Sequence, residues 1–161
     1  MKISSNKLKD IIDFAYQELE SLYEKDEIRS MIYSIIEHFT GYDLMKILTY
    51  KDELKVSESE LLKINFAIKD LKKEKPLQQI LGYCEFLDVR IEVNQHVLIP
   101  RVETEEIVQR VIKENKGRKN LKIADICCGS GCIAIALKKA FPDANIYAYD
   151  ISEEALKKSK E

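Results

Sequence analysis

Between Leu121 and Asp150 lie the side chains whose types and spacing suit ligand chemistry: a carboxylate at Asp125, a glycine turn at Gly129-Ser130-Gly131, and a second carboxylate at Asp150. Gly129 and Gly131 have no Cβ, so the backbone can turn tightly and let a ligand come close. The helical run that starts at Cys132 leaves its first N–H groups without intrahelical acceptors, pointing out of the turn. Asp150 closes a second apolar run, where a carboxylate can accept hydrogen bonds from both hydroxyls of a ribose. The combination points to a site for an adenosine-containing ligand.

The elements that must position these residues follow from the pattern. A β-branched run (Ile123, Ile126) breaks into the glycine turn, a helix follows, and Asn145–Asp150 forms a second strand: one β-α-β unit. Gly129 to Ala134 also satisfies G-x-G-x-x-G/A, the dinucleotide fingerprint, which alone is weak. An acidic residue, Asp125, that ends the first strand and is separated from Gly129 by three residues argues against a nicotinamide cofactor. The string D-I-C-C-G-S-G resembles the first motif of S-adenosylmethionine (AdoMet)-dependent methyltransferases. In that family the acidic residue and glycine loop hold the methionine part and the later carboxylate holds the ribose. AdoMet has no pyrophosphate and needs close backbone approach more than an anion hole.

The chain of 161 residues is 45% hydrophobic and 34% charged, ordinary for a globular protein, with formal net charge −2. Neither half is basic, so salt-driven nucleic-acid binding is not expected. The absence of a long apolar run or signal-peptide pattern implies a cytoplasmic protein with no membrane partner. Cys84, Cys127, Cys128 and Cys132 lack metal-ligand spacing with His38 or His96, so they read as free thiols and no metal is expected. Proximity of Cys127 and Cys128 to a helix N-terminus predicts a lowered thiol pKa.

Residues 1–75 read as helices. After Ser4-Ser5, Leu8, Ile11, Ile12, Ala15, Leu19 and Leu22 share one helical face. Asp26 is expected to cap a second helix that stops at Gly41, a short third helix spans 43–48, and Ser57-x-x-Glu60 forms a capping box for a fourth. A brief helix after Pro76 ends at Gly82. From Tyr83 to Val93 the period changes to two, with Leu87, Val89, Ile91 and Val93 on one face, which predicts a hairpin. A further helix spans 104–114, with Thr104 as its N-cap, and Asn115-Lys116-Gly117 ends it.

Pro76-Leu-Gln-Gln-Ile-Leu-Gly82, then Glu85-Phe86, then Val97-Leu-Ile-Pro-Arg-Val-Glu-Thr-Glu105 closely resemble strings of the protein-glutamine N5-methyltransferases that act on peptide chain release factors. The match runs in order from Pro76 to Ser152. The resemblance implies an α + α/β chain: a small N-terminal helical bundle (1–75, a substrate-recognition domain), a linker with a β-hairpin bridge (76–96), and the first part of a Rossmann-like AdoMet-dependent methyltransferase domain (97–161). It further implies that Pro100, Arg101 and Thr104 line the methionine end of AdoMet. Asp125, Cys127, Cys128, Gly129, Ser130 and Gly131 would form the cofactor loop, Asp150 would hold the ribose, and a release factor would be the protein partner.

Two departures stand out. Cys127-Cys128 replaces the Gly-Thr of many relatives, so the loop must keep φ negative at Cys127 or accept strain. The family's Asn-Pro-Pro-Tyr motif, which grips the target amide, does not occur in 1–161. Nor is there a Ser/His/Asp set or a carboxylate pair placed for acid–base work. No catalytic residue is therefore expected within this chain, which reads as an N-terminal portion of a longer enzyme and is expected to be inactive alone. The alternatives are an AdoMet-dependent methyltransferase of a nucleic-acid base amino group, and an NAD-dependent oxidoreductase or a non-catalytic binding module.

Overall fold

A computed structural model describes residues 5–160; Ser4 and Glu161 lie outside the described residues. The chain forms two compact units, Met1–Leu81 and Gly82–Glu161. Among the described residues no helix is long and apolar enough to cross a membrane.

Among the described residues the first unit is built from five helices, α1 (Leu8–Leu19), α2 (Lys25–Thr40), α3 (Leu44–Tyr50), α4 (Glu58–Leu71) and α5 (Leu77–Leu81). The stripe read from the sequence faces inward on α1, where Leu8, Ile11, Ile12, Ala15 and Leu19 are buried. Leu22 falls beyond the helix end and is exposed, so it leaves the stripe. The N-cap of α2 is Glu24 rather than Asp26. Asp26 sits inside the first turn, where its charge suits the helix dipole and its carboxylate pairs with Arg29 at 3.0 Å. Gly41 ends α2 with φ +70°, a left-handed conformation that favours glycine. Asp43 caps α3 by accepting from the Lys46 N–H at 2.7 Å, and the helix runs two residues past 48 to Tyr50. Ser57 and Glu60 form the full capping box of α4. Ile28, Ile32, Ile35 and Ile36 of α2 meet Ile64, Ile68 and Leu71 of α4 in one core cluster, with Leu77, Ile80 and Leu81 of α5 packed against it.

In the second unit β1 (Tyr83–Phe86) and β2 (Val89–Glu92) pair antiparallel, with Phe86 opposite Val89 and Cys84 opposite Ile91. The turn is Leu87-Asp88, both at positive φ (+48° and +58°), the two-residue geometry whose twist matches a hairpin. Leu87 therefore leaves the inner strand face that simple alternation gives it. Phe86 takes that place, fully buried with Ile91 and Val93. Segment 76–96 is thus divided, with α5 in the first core and the hairpin in the second.

Helix α6 (Val102–Glu114) starts two residues earlier than Thr104. Arg101 is its N-cap, and the acidic residues Glu103 and Glu105 favour the first turn. Parallel strands β3 (Lys122–Ile126) and β4 (Asn145–Tyr149) are joined by α7 (Cys132–Ala140), the β-α-β unit the sequence describes. The last element is α8 (Glu153–Lys158), capped by Ser152 accepting from the Ala155 N–H at 3.2 Å.

Candidate functional site

The loop between β3 and α7 turns through left-handed backbone at alternate residues: Cys127 (φ +64°), Gly129 (+54°) and Gly131 (+77°). Backbone–backbone hydrogen bonds help to fix it. The Cys128 N–H donates to the Tyr149 carbonyl at 2.9 Å, extending the strand ladder, and the Gly131 N–H donates to the Cys128 carbonyl at 2.8 Å. Cys127 stands where the resemblance places glycine. Holding an L-residue left-handed costs about 1–2 kcal/mol, so the loop accepts the strain rather than avoiding it. The two glycines have different local reasons. A methyl group built on Gly129 meets no atom within 4 Å, so the ground above it is open. One built on Gly131 meets the Ser159 Cβ at 3.3 Å, so that residue is held small by its neighbour as well as by its φ.

The two carboxylates have opposite environments. Asp125 is buried, and its Oδ2 accepts from the Ala134 N–H in the first turn of α7 at 3.1 Å. Burial pushes its pKa up, the Ala134 bond partly offsets this, and the charge of Asp150 adds to the rise. Asp150 reaches over the loop. Its Oδ1 accepts from the Ser152 N–H at 2.9 Å and its Oδ2 from the Gly129 N–H at 2.8 Å. Those two donors, Ser152 first, hold its pKa below the usual carboxylate range. Each Asp150 oxygen has a further lone pair after these bonds, enough to receive a second donor. An open glycine floor beside such acceptors fits a ligand that brings hydroxyl donors and comes close to backbone.

The thiols behave differently from the sequence expectation. Burial pushes the pKa of Cys128 and of Cys132 up, outweighing the helix N-terminus that was to lower it at Cys128. Cys84 is pushed up to about 11, first by burial and then by Cys132, Glu85 and Glu105. All four cysteines are free, and no group of metal-ligating side chains occurs among the described residues.

The structure brings Asp125, Cys127, Cys128, Gly129, Ser130, Gly131 and Asp150 together around one loop. Pro100, Arg101 and Thr104 form the entry to α6, which packs on α7, and the Thr104 N–H donates to the Arg101 carbonyl at 3.0 Å. Among the described residues no side-chain hydrogen bond ties Arg101 or Thr104 to the glycine loop. Sequence reasoning missed Ser152 as the second anchor of Asp150. The signal was Asp-x-Ser, the spacing at which an aspartate bonds the N–H two residues on. It also missed Ser159 against Gly131, a contact with no local signature. A groove of about 650 Å³ runs between α7 and β4, lined by Ala134, Ile135, Lys138, Ala144 and Tyr147 among others. Its lining is mostly apolar and includes neither Asp125 nor Asp150, so the loop is the better chemical candidate.

Residues 103–161 match the methyltransferase small domain family. The chain is 44% identical over 144 residues to the release factor glutamine methyltransferase of Flavobacterium psychrophilum, covering 87% of this chain and 50% of the relative. It is 40% identical over 146 residues to the protein of the same name from Bacteroides thetaiotaomicron (91% and 51% covered), and 36% identical over 155 residues to that from Streptococcus pneumoniae (96% and 54%). The chain spans about half the length of the curated relatives it matches.

Proposed function

We propose that the chain belongs with the release factor glutamine methyltransferases it resembles over about half of their length, and that the whole protein methylates a glutamine side-chain nitrogen of a peptide chain release factor with AdoMet as donor. The observation that carries this reading is the Asp150 carboxylate held above Gly129 by two backbone N–H groups.

In this reading Asp150 holds the two ribose hydroxyls on the lone pairs its backbone bonds leave over, and its low pKa keeps it charged at neutral pH. Gly129 lets the loop of residues 127–131 come within backbone distance of the ligand, and Gly131 supplies the left-handed turn that leads into α7. Asp125 braces α7 against β3 and sets the negative field beneath the loop, where a sulfonium is favoured over a neutral group. Pro100, Arg101 and Thr104 border the methionine end, as the resemblance implies. When bound, AdoMet supplies a methyl group already activated by its sulfonium.

The difficulty lies with the nucleophile, because an amide nitrogen has its lone pair delocalised into the carbonyl. A site lowers that barrier by holding the amide hydrogens on fixed acceptors and aligning the nitrogen with the methyl group. By resemblance those acceptors belong to Asn-Pro-Pro-Tyr, and no residue of 1–161 is assigned that work. The helical unit is proposed to meet the protein substrate. Its exposed Met45, Leu48, Leu62 and Phe66 offer apolar side chains for a protein surface.

The test is transfer of isotopically labelled methyl from AdoMet by the full-length protein to a purified release factor, with the label located by mass spectrometry. Label on a glutamine side chain is expected. Label on a nucleic-acid base instead, or none although AdoMet binds, would overturn the reading.

A further inference from the structure

The Asp150 carboxylate is fixed from two sides, one of them the start of α8 and the other the glycine loop. Its Oδ1 accepts from Ser152, the residue that caps α8, and its Oδ2 accepts from Gly129. At the other end of the helix, Ser159 lies against Gly131, with 3.3 Å between its Cβ and a methyl group built on that glycine. One end of the helix therefore holds Asp150, and the residue after its other end lies against the loop. Being only six residues long, it has little intrinsic stability and depends on what fastens it. That fastening comes from the hairpin: Lys158 Nζ donates to Glu92 Oε2 of β2 at 2.6 Å, and the Lys158 side chain is only 11% exposed. Glu92 is held below its usual pKa first by this hydrogen bond and then by the lysine charge.

We infer that Glu92 and Lys158 are positioning residues for the candidate cofactor loop: their ion pair clamps α8 to the hairpin, and α8 in turn sets the orientation of Asp150 over Gly129. The pair sits 66 residues apart in sequence, and among the described residues no hydrogen bond or ion pair joins it to the loop or to Asp150, so its effect is transmitted through α8. The term "cofactor" rests on the function proposed above, whereas the mechanical link does not.

Amide hydrogen exchange by NMR on the protein, without ligand, tests the link. In Glu92→Gln the N–H groups of Gly129 and Ser152 should exchange about two- to fivefold faster, the range set by losing one partly exposed ion pair from a local opening. The Ala134 N–H, held by Asp125 on the far side of the loop, should be unchanged. Exchanging the charges in Glu92→Lys/Lys158→Glu should restore the slow exchange. Unchanged Gly129 and Ser152, or equal acceleration of Ala134, would overturn the inference, the latter by showing general loosening. AdoMet titration of the same variants gives the second arm. Wild type that binds while Glu92→Gln binds two- to fivefold more weakly is the expected result. A wild type that fails to bind counts against the proposed function and leaves the exchange result to decide the clamp.

Discussion

On α2 the side chains of Ile28, Ile32, Ile35 and Ile36 are completely buried, whereas on the paired strands of the second unit Ile126, Tyr147 and Tyr149 are each half or more exposed. The helical unit closes its core by periodic packing and caps its helices with side chains that suit their positions. The second unit leaves strand residues uncovered and carries strain at Cys127, beside the buried carboxylate of Asp125. Backbone strain and desolvated charge collect where ligands are handled, because a site needs groups poised in arrangements that stability alone would not select. The contrast between the units thus separates residues that hold the helical core from the strained loop and buried carboxylate of the candidate site.

The largest expected effect falls in the helical unit. Ile35→Ala should destabilise it by about 2–5 kcal/mol in a denaturant titration, while Ile126→Ala, at a position 65% exposed, should change stability by no more than about 0.5 kcal/mol. Equal losses would dissolve the contrast. At the loop, Gly131→Ala should cost about 1–2 kcal/mol, because its φ and Ser159 both oppose a side chain. Cys127→Gly should instead raise the melting temperature, corresponding to about 1 kcal/mol of relieved strain. Capping gives a similar but smaller term, with Ser57→Ala costing about 1 kcal/mol.

The smallest effect is a pH dependence of opposite sign at the two carboxylates. Asp150, whose folded pKa is depressed below 3.8, contributes stability that is present above that value and lost as pH falls through the folded pKa. Asp125 has a raised pKa, so it disfavours the fold once pH climbs past 3.8 toward its folded value. Thermal melts of Asp150→Asn and Asp125→Asn across the acidic range should therefore shift in opposite directions relative to wild type at neutral pH, the first down and the second up.

Much of this was legible because it is local. The capping box at Ser57 and Glu60, the left-handed stop at Gly41 and the β-α-β unit around Gly129 are each specified by residues within a few positions of one another. The starts of α2 and α6 were misplaced because Glu24 and Arg101 act as caps without a side-chain hydrogen bond, leaving no residue type to signal them. The Leu87-Asp88 turn was hidden because its left-handed pair lacks the usual Asn or Gly. Ser159 against Gly131 and Lys158 on Glu92 depend on tertiary packing, which periodicity does not encode. The fall of thiol acidity at Cys128 was misjudged for the same reason: the helix terminus is visible in sequence, but the burial that outweighs it is not.

Everything proposed for the site depends on whether the loop and Asp150 hold an adenosyl group. Isothermal titration of the protein with AdoMet, and in parallel with NAD, addresses this directly. One AdoMet site, weakened about tenfold or more in Asp150→Ala by loss of charge-assisted hydrogen bonds, is the expected result. NAD binding without AdoMet binding, or AdoMet binding that Asp150→Ala leaves unchanged, would contradict it.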